Sequence, residues 1–149
     1  MALPDLISEE VVRVPLVSAT KTEVIKELIQ ALQDAHKISE YEAIYQAVSA
    51  REDLGTTGLE FGIAVPHAKT SAVQNLTVAI GISPGGVDFN AMDGKPSRLI
   101  FLILAPPDQS GPYIELLAEI ARMTRSNSFC DMLISAVSAR EVINMFREE

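Results

Sequence analysis

Tryptophan is absent from the 149 residues, cysteine occurs once and histidine only twice. The single Cys130 rules out an internal disulfide, fits a reducing compartment, and is expected as a small buried side chain. With so few thiols and imidazoles there is no Cys/His cluster of the kind that holds zinc. No Walker or dinucleotide-binding glycine pattern occurs either, so neither a metal nor a cofactor is expected. Basic charge is also scarce: 12 Lys and Arg against 20 Asp and Glu leave a formal charge of −8. That balance disfavours nonspecific binding to nucleic acid or to an anionic membrane and suits a partner with a basic patch. No apolar run approaches the roughly 20 residues that a membrane-spanning helix needs. Met1-Ala2-Leu3-Pro4-Asp5 has no basic region ahead of an apolar core, so the expectation is a cytoplasmic chain, neither exported nor inserted in a membrane.

What is present is a chain 48% hydrophobic and long enough for one domain, 1–149, with a sizeable core. Residues 11–17, Val-Val-Arg-Val-Pro-Leu-Val, read as a short strand that Pro15 confines to an edge or a strand end. Thr20 and Glu23 form a capping-box pattern, and apolar residues then recur at helical spacing to about His36, where a cation suits the last turn. Ser39 and Glu42 repeat the pattern ahead of a second helix that ends near Arg51. Residues 76–82 and 99–104 are nearly all apolar and β-prone, as strands covered on both faces are. Pro84-Gly85-Gly86 is expected to break the first of them, and Asp93-Gly94 to turn the chain toward the second. Pro112 suits the first turn of a helix with Ile114, Leu117, Ala118 and Ala121 facing inward. Cap-like Ser128 and Ser138 predict helices near 129–136 and 139–148, with Met132, Leu133, Val137, Val142, Ile143 and Phe146 as core. The element pattern predicts a single α/β domain, about four or five strands with helices on both faces.

The chemistry concentrates in Gly62-Ile63-Ala64-Val65-Pro66-His67-Ala68. Pro66 fixes its own φ and biases Val65 toward extended backbone, so the chain aims the imidazole of His67. Neutral histidine can attack through one ring nitrogen while the other donates the hydrogen bond that sets the tautomer. If the group carried is phosphoryl, positive charge and N–H donors are needed nearby, and Arg51 with the loop of residues 53–58 could supply them. Gly55 and Gly58 are expected to give that loop its positive φ angles. By itself Arg51 reads as a helix-end cation, Thr56 and Thr57 as turn residues, and Lys69 as an exposed lysine that could also help bind an anion. Tyr113, at a helix start that presents unpaired N–H groups, either lines an anion site or packs as an ordinary aromatic.

Arg51-Glu52, Thr57, Leu59 and Ile63-Ala64-Val65-Pro66-His67-Ala68 resemble the active-site signature of the enzyme IIA domains of the mannitol/fructose class, including the nitrogen-regulatory branch, of the phosphoenolpyruvate-dependent sugar phosphotransferase system. The resemblance continues through Gly86-Val87-Asp88-Phe89, Asp93-Gly94-Lys95-Pro96 and Leu116-Leu117-Ala118-Glu119-Ile120-Ala121-Arg122, and covers about 12–146. It implies a mixed sheet, and a phosphocarrier that accepts a phosphoryl group from an HPr-type protein on His67 and donates it to an enzyme IIB domain or another acceptor. It also implies that Arg51 stabilises phosphate charge, and it makes Thr57 and Tyr113 phosphate-site candidates. His67 should then sit in a shallow, accessible depression. Two departures mark the chain. Tyr113 stands where the family usually has a second histidine, and Glu60 where it usually has a small residue. Tyrosine can donate a hydrogen bond to phosphate but brings no cationic form. These departures motivate the alternative of a regulatory protein-binding module with weak or absent phosphotransfer.

Overall fold

Two long apolar strands carry the rest of the chain. The computed structural model describes residues 3–148, with one five-stranded sheet made of β1 (Val12–Arg13), β2 (Ile63–Ala64), β3 (His67–Lys69), β4 (Thr77–Val87) and β5 (Ser97–Ala105). β4 and β5 pair antiparallel in the centre, β1 lies parallel on the outer side of β4, and β2 and β3 both lie parallel along β5. The sheet is therefore mixed. Every residue of β5 except Arg98 is buried, so both faces of that strand are covered, as its unbroken apolar run requires.

Two expectations about strand ends are corrected. The segment 11–17 contributes only Val12–Arg13 to the ladder, at the sheet edge, because Pro15 has no N–H to offer. Pro84-Gly85-Gly86 does not end β4. The strand runs on to Val87, which pairs with Ser97 across a register irregularity that begins after Ile82. Gly86 takes φ +82° there, a conformation glycine adopts without penalty, and the irregularity absorbs the proline.

The helices are α1 (Leu3–Leu6), α2 (Lys21–Asp34), α3 (Tyr41–Asp53), α4 (Ser110–Met123), α5 (Asn127–Ile134) and α6 (Ala139–Glu148). α2 starts as its sequence predicts: the Thr20 hydroxyl accepts from the Glu23 N–H at 3.2 Å, and Val24, Ile25, Leu28, Ile29 and Leu32 are buried. His36 lies just past the helix instead of within its last turn. Its φ is +59°, its N–H donates to Gln33 O, and Lys37 N–H donates to Leu32 O, the paired bonds of a Schellman cap. Ser39 does not cap α3. Glu40 occupies that position without a side-chain bond, since burial of Ile44 and Val48 sets the helix phase and a cap contributes only about 1 kcal/mol. α5 likewise begins earlier than expected, capped by Ser126, whereas Ser138 accepts from Glu141 N–H as expected for α6.

The inward face of α4 is also corrected. Tyr113, Leu116 and Ile120 are buried while Ile114 is 61% exposed, one residue out of phase with the expected set. Both sets have helical spacing, but Tyr113, Leu116 and Ile120 bury far more apolar area than a face built on Ala118 and Ala121. Met132 and Val137 are exposed instead of core, whereas Leu133, Val142, Ile143, Phe146 and Cys130 are buried. The phase of α4 matters for function. It turns Tyr113 toward the first residue of β3.

Candidate phosphoryl-transfer site

β2 ends at Ala64 and β3 begins at His67, so Val65 and Pro66 form a two-residue step along the edge of β5. The step is held on both sides. Pro66 O accepts from Ile103 N–H at 3.0 Å, and Val65 N–H donates to Thr57 O at 2.9 Å. Val65 O is thereby left to receive the His67 ring, with Nδ1 at 2.7 Å. A carbonyl can only accept, so Nδ1 carries the proton and the lone pair of the neutral ring is on Nε2. His67 is half-buried. Burial lowers its pKa from the usual 6.5, the bond to Val65 pulls the other way, Arg51 lowers it further and Glu52 raises it. The net direction is down, toward the neutral nucleophilic form.

His67 opens onto a cavity of about 230 Å³ whose wall includes Arg51, Thr57, Val65 and Leu117. The structure thus brings the expected nucleophile and the expected cation to one depression. Arg51, in the last turn of α3, donates from Nη1 to Gly55 O at 2.9 Å and so folds the following loop beneath its own guanidinium. Thr57 lines the same depression, but it is buried and its hydroxyl donates to Glu52 Oε1, which leaves its proton committed. Gly58 is required for another reason than a positive φ. A Cβ there would come within 2.9 Å of Phe89 O and Ala91 Cα, so the loop presses directly on the segment after β4.

Tyr113 reaches the same depression from α4. Its ring centroid is 5.8 Å from that of His67, with the planes tilted by 52°. Burial holds its phenol above the ordinary value of 10, with Arg51 opposing, so it is a neutral hydroxyl at physiological pH. Lys69 is exposed, and its Nζ lies 5.7 Å from the Tyr113 ring centroid. Glu60 is not brought into the cavity. It lines an adjacent groove of about 470 Å³ with Leu59, Phe61, Met92 and Arg125. His36 lies in a third groove, of about 660 Å³, with Lys37, Ser71 and Asn75. That groove is thus larger than the depression onto which His67 opens.

The sequence matches the family model for the phosphoenolpyruvate-dependent sugar phosphotransferase system, EIIA 2, over residues 5–149. The chain belongs to this family. It is 37% identical over 130 residues to the fructose-specific EIIA component of Haloferax volcanii, which covers 87% of this chain and 84% of that protein. It is 30% identical to the fructose-specific EIIABC component of Bacillus subtilis over 99% of its own length, and spans only 23% of that longer protein. Its fold superposes on the nitrogen regulatory protein IIA-Ntr of Neisseria meningitidis with a TM-score of 0.88 at 28% identity, covering 97% and 98% of the two chains. The Escherichia coli enzyme IIAMtl, solved in complex with phosphorylated enzyme IIBMtl, gives a TM-score of 0.81 at 25% identity, covering 96% and 98%.

Within this enzyme IIA fold, sequence reasoning gave no role to the support behind the site. Glu52 is nearly enclosed, pairs through Oε2 with Lys21 Nζ at 2.6 Å, and bonds Thr57 through Oε1. Lys21 opens α2, so the pair ties the start of one helix to the end of another. A signal for Glu52 existed, since it sits beside Arg51 in the signature. None existed for Lys21, which only the packing of α2 against α3 brings near. Among the described residues no group of three or more His, Cys, Asp and Glu side chains is placed to hold a metal ion, and no helix is long and apolar enough to cross a membrane.

Proposed function

We propose that the chain acts as one phosphocarrier domain in the cytoplasm, accepting a phosphoryl group on His67 and passing it on. The observation that carries this reading is the His67 Nδ1 to Val65 O bond, which leaves Nε2 as the nucleophile beside Arg51. An HPr-type protein bearing a phosphohistidine docks over the depression, and Nε2 attacks phosphorus in line. The donor N–P bond breaks as the Nε2–P bond forms, and the electron pair returns to the donor imidazole. The proton stays on Nδ1 throughout, donated to the Val65 carbonyl. Positive charge that develops on the His67 ring is stabilised by that carbonyl, and Arg51 stabilises the equatorial oxygens. Tyr113 donates its hydroxyl proton to one of those oxygens in place of a second histidine. The reverse geometry delivers the group to an enzyme IIB domain, a partner class that the complex of the related IIAMtl supports.

The test is intact mass after incubation with phosphoenolpyruvate, enzyme I and an HPr-type carrier, beside His67→Ala. An acid-labile phosphoryl adduct on the parent chain alone is expected. No adduct, with a carrier that loads a control domain, overturns the reading.

A regulatory module is the second reading, favoured by Tyr113 standing where the family usually has a second histidine and by the likeness to IIA-Ntr. In that case partner affinity survives His67→Ala, and Tyr113→His raises phosphotransfer above the parent level.

A further inference from the structure

A phosphoryl group brings a charge of about −1.5 to −2 to whatever site receives it. The depression at His67 offers one guanidinium, and that guanidinium already donates to Gly55 O. Tyr113 adds no charge. Lys21, the cation behind the site, is paired with Glu52. Lys69 is different: among the described residues no carboxylate lies within ion-pair distance of it. Its Nζ is parked over the ring of Tyr113, the same ring that meets His67.

The strand explains why. His67 and Lys69 are the first and third residues of β3, so their side chains leave the same face of the sheet, while the intervening Ala68 is buried on the other. Residues two apart on a strand are separated by roughly 6.6 Å at Cα, within the reach of a four-carbon side chain. An exposed ammonium 5.7 Å from a ring centroid, near the outer limit of such a contact, is held weakly and is easily recruited by an anion.

We propose that Lys69 is a phosphate-contact residue that moves from the Tyr113 ring to an equatorial oxygen of the phosphoryl group on His67. This rests on the phosphocarrier reading above. Tyr113 then has two tasks, to donate its hydroxyl and to store the cation that a tyrosine cannot itself provide. Lys69 forms no bond to phosphorus and transfers no proton. It meets the incoming charge with an ammonium.

The experiment compares the parent chain with Lys69→Met and Lys69→Arg in single-turnover phosphorylation by a phosphorylated HPr-type carrier, then records the phosphorus NMR resonance of each isolated phosphorylated protein. Lys69→Met is expected to slow transfer by about tenfold, the value of one charge-assisted hydrogen bond. Its phosphohistidine resonance should also move. Lys69→Arg should keep the rate within about threefold, because a guanidinium also meets phosphate. Transfer to Lys69→Met at the parent rate overturns the proposal. Slow transfer with an unmoved resonance also overturns it, and assigns Lys69 to the docking of the carrier instead. If the parent itself accepts no phosphoryl group from a carrier that loads a control domain, the phosphocarrier reading falls and the role of Lys69 falls with it.

Discussion

The two histidines stand in opposite surroundings. His36 closes α2, with its backbone in the left-handed region and its N–H donating to Gln33, on the rim of a groove of about 660 Å³. His67 opens β3 on a cavity of about 230 Å³, its ring bonded at Nδ1, flanked by Tyr113 and within the field of Arg51. In one the backbone does the work and the ring is incidental. In the other the backbone exists to aim the ring. Size of concavity is thus a poor guide here, and a fixed tautomer beside a cation a better one.

The sharpest way to break the contrast is to remove each ring in turn. His67→Ala should lose phosphoryl acceptance altogether, whereas His36→Ala should keep the parent rate, with both read by acid-labile adduct in intact mass. If both variants load alike, the assignment of His67 is wrong. Removing the cation comes next. Arg51→Gln should slow transfer by about a hundredfold, as loss of one preorganised stabiliser of developing phosphate charge does. A rate within a factor of about two of the parent would leave Arg51 only as the strap of its own loop, through Gly55 O.

The support behind the site should cost stability before it costs chemistry. Glu52→Ala strands Lys21 and the Thr57 hydroxyl together, for an expected loss of about 2 kcal/mol in denaturant unfolding. An unchanged midpoint would mean that Lys21 and Thr57 find water without penalty. On the His36 side the expected sign is reversed. His36→Gly should gain about 1 kcal/mol, because glycine takes the left-handed position of a helix cap without the Cβ clash that histidine carries there. A loss would show that the His36 side chain has contacts worth more than its strain.

The same division runs through what the sequence revealed. The central strands, the caps at Thr20 and Ser138, and the grouping of His67 with Arg51 were legible because each rests on a local pattern or on a signature of several residues. The face of α4 was not, since sets starting at Tyr113 and at Ile114 fit helical spacing equally, and only the volume of the core chooses between them. Ser39 and Ser128 looked like caps, but a cap is a small term that packing can shift by a residue or two. Glu52 and Lys21 needed the packing of two helices, a distance that no spacing rule encodes. The bond by which the Thr57 hydroxyl holds the loop through Glu52 was likewise invisible, because the signature names the residue and not its partner.

The smallest effect is the pH response of His67, and its sign follows from burial. Burial lowers the folded pKa below 6.5, so between the two values the unfolded chain binds more protons than the folded one, and stability rises with pH. That contribution is full above the unfolded value, is lost as pH falls below it, and changes no further once the folded value is passed. Transfer should behave in parallel: the neutral nucleophile persists at pH 6.5, where an unperturbed imidazole is half protonated, and the rate should begin to fall only at lower pH. An NMR titration of the His67 ring gives the folded midpoint directly. A midpoint at or above 6.5 would show that the Val65 carbonyl and Glu52, which favour the charged ring, outweigh burial and Arg51, and the phosphoryl acceptor would then have to lose a proton before it could attack.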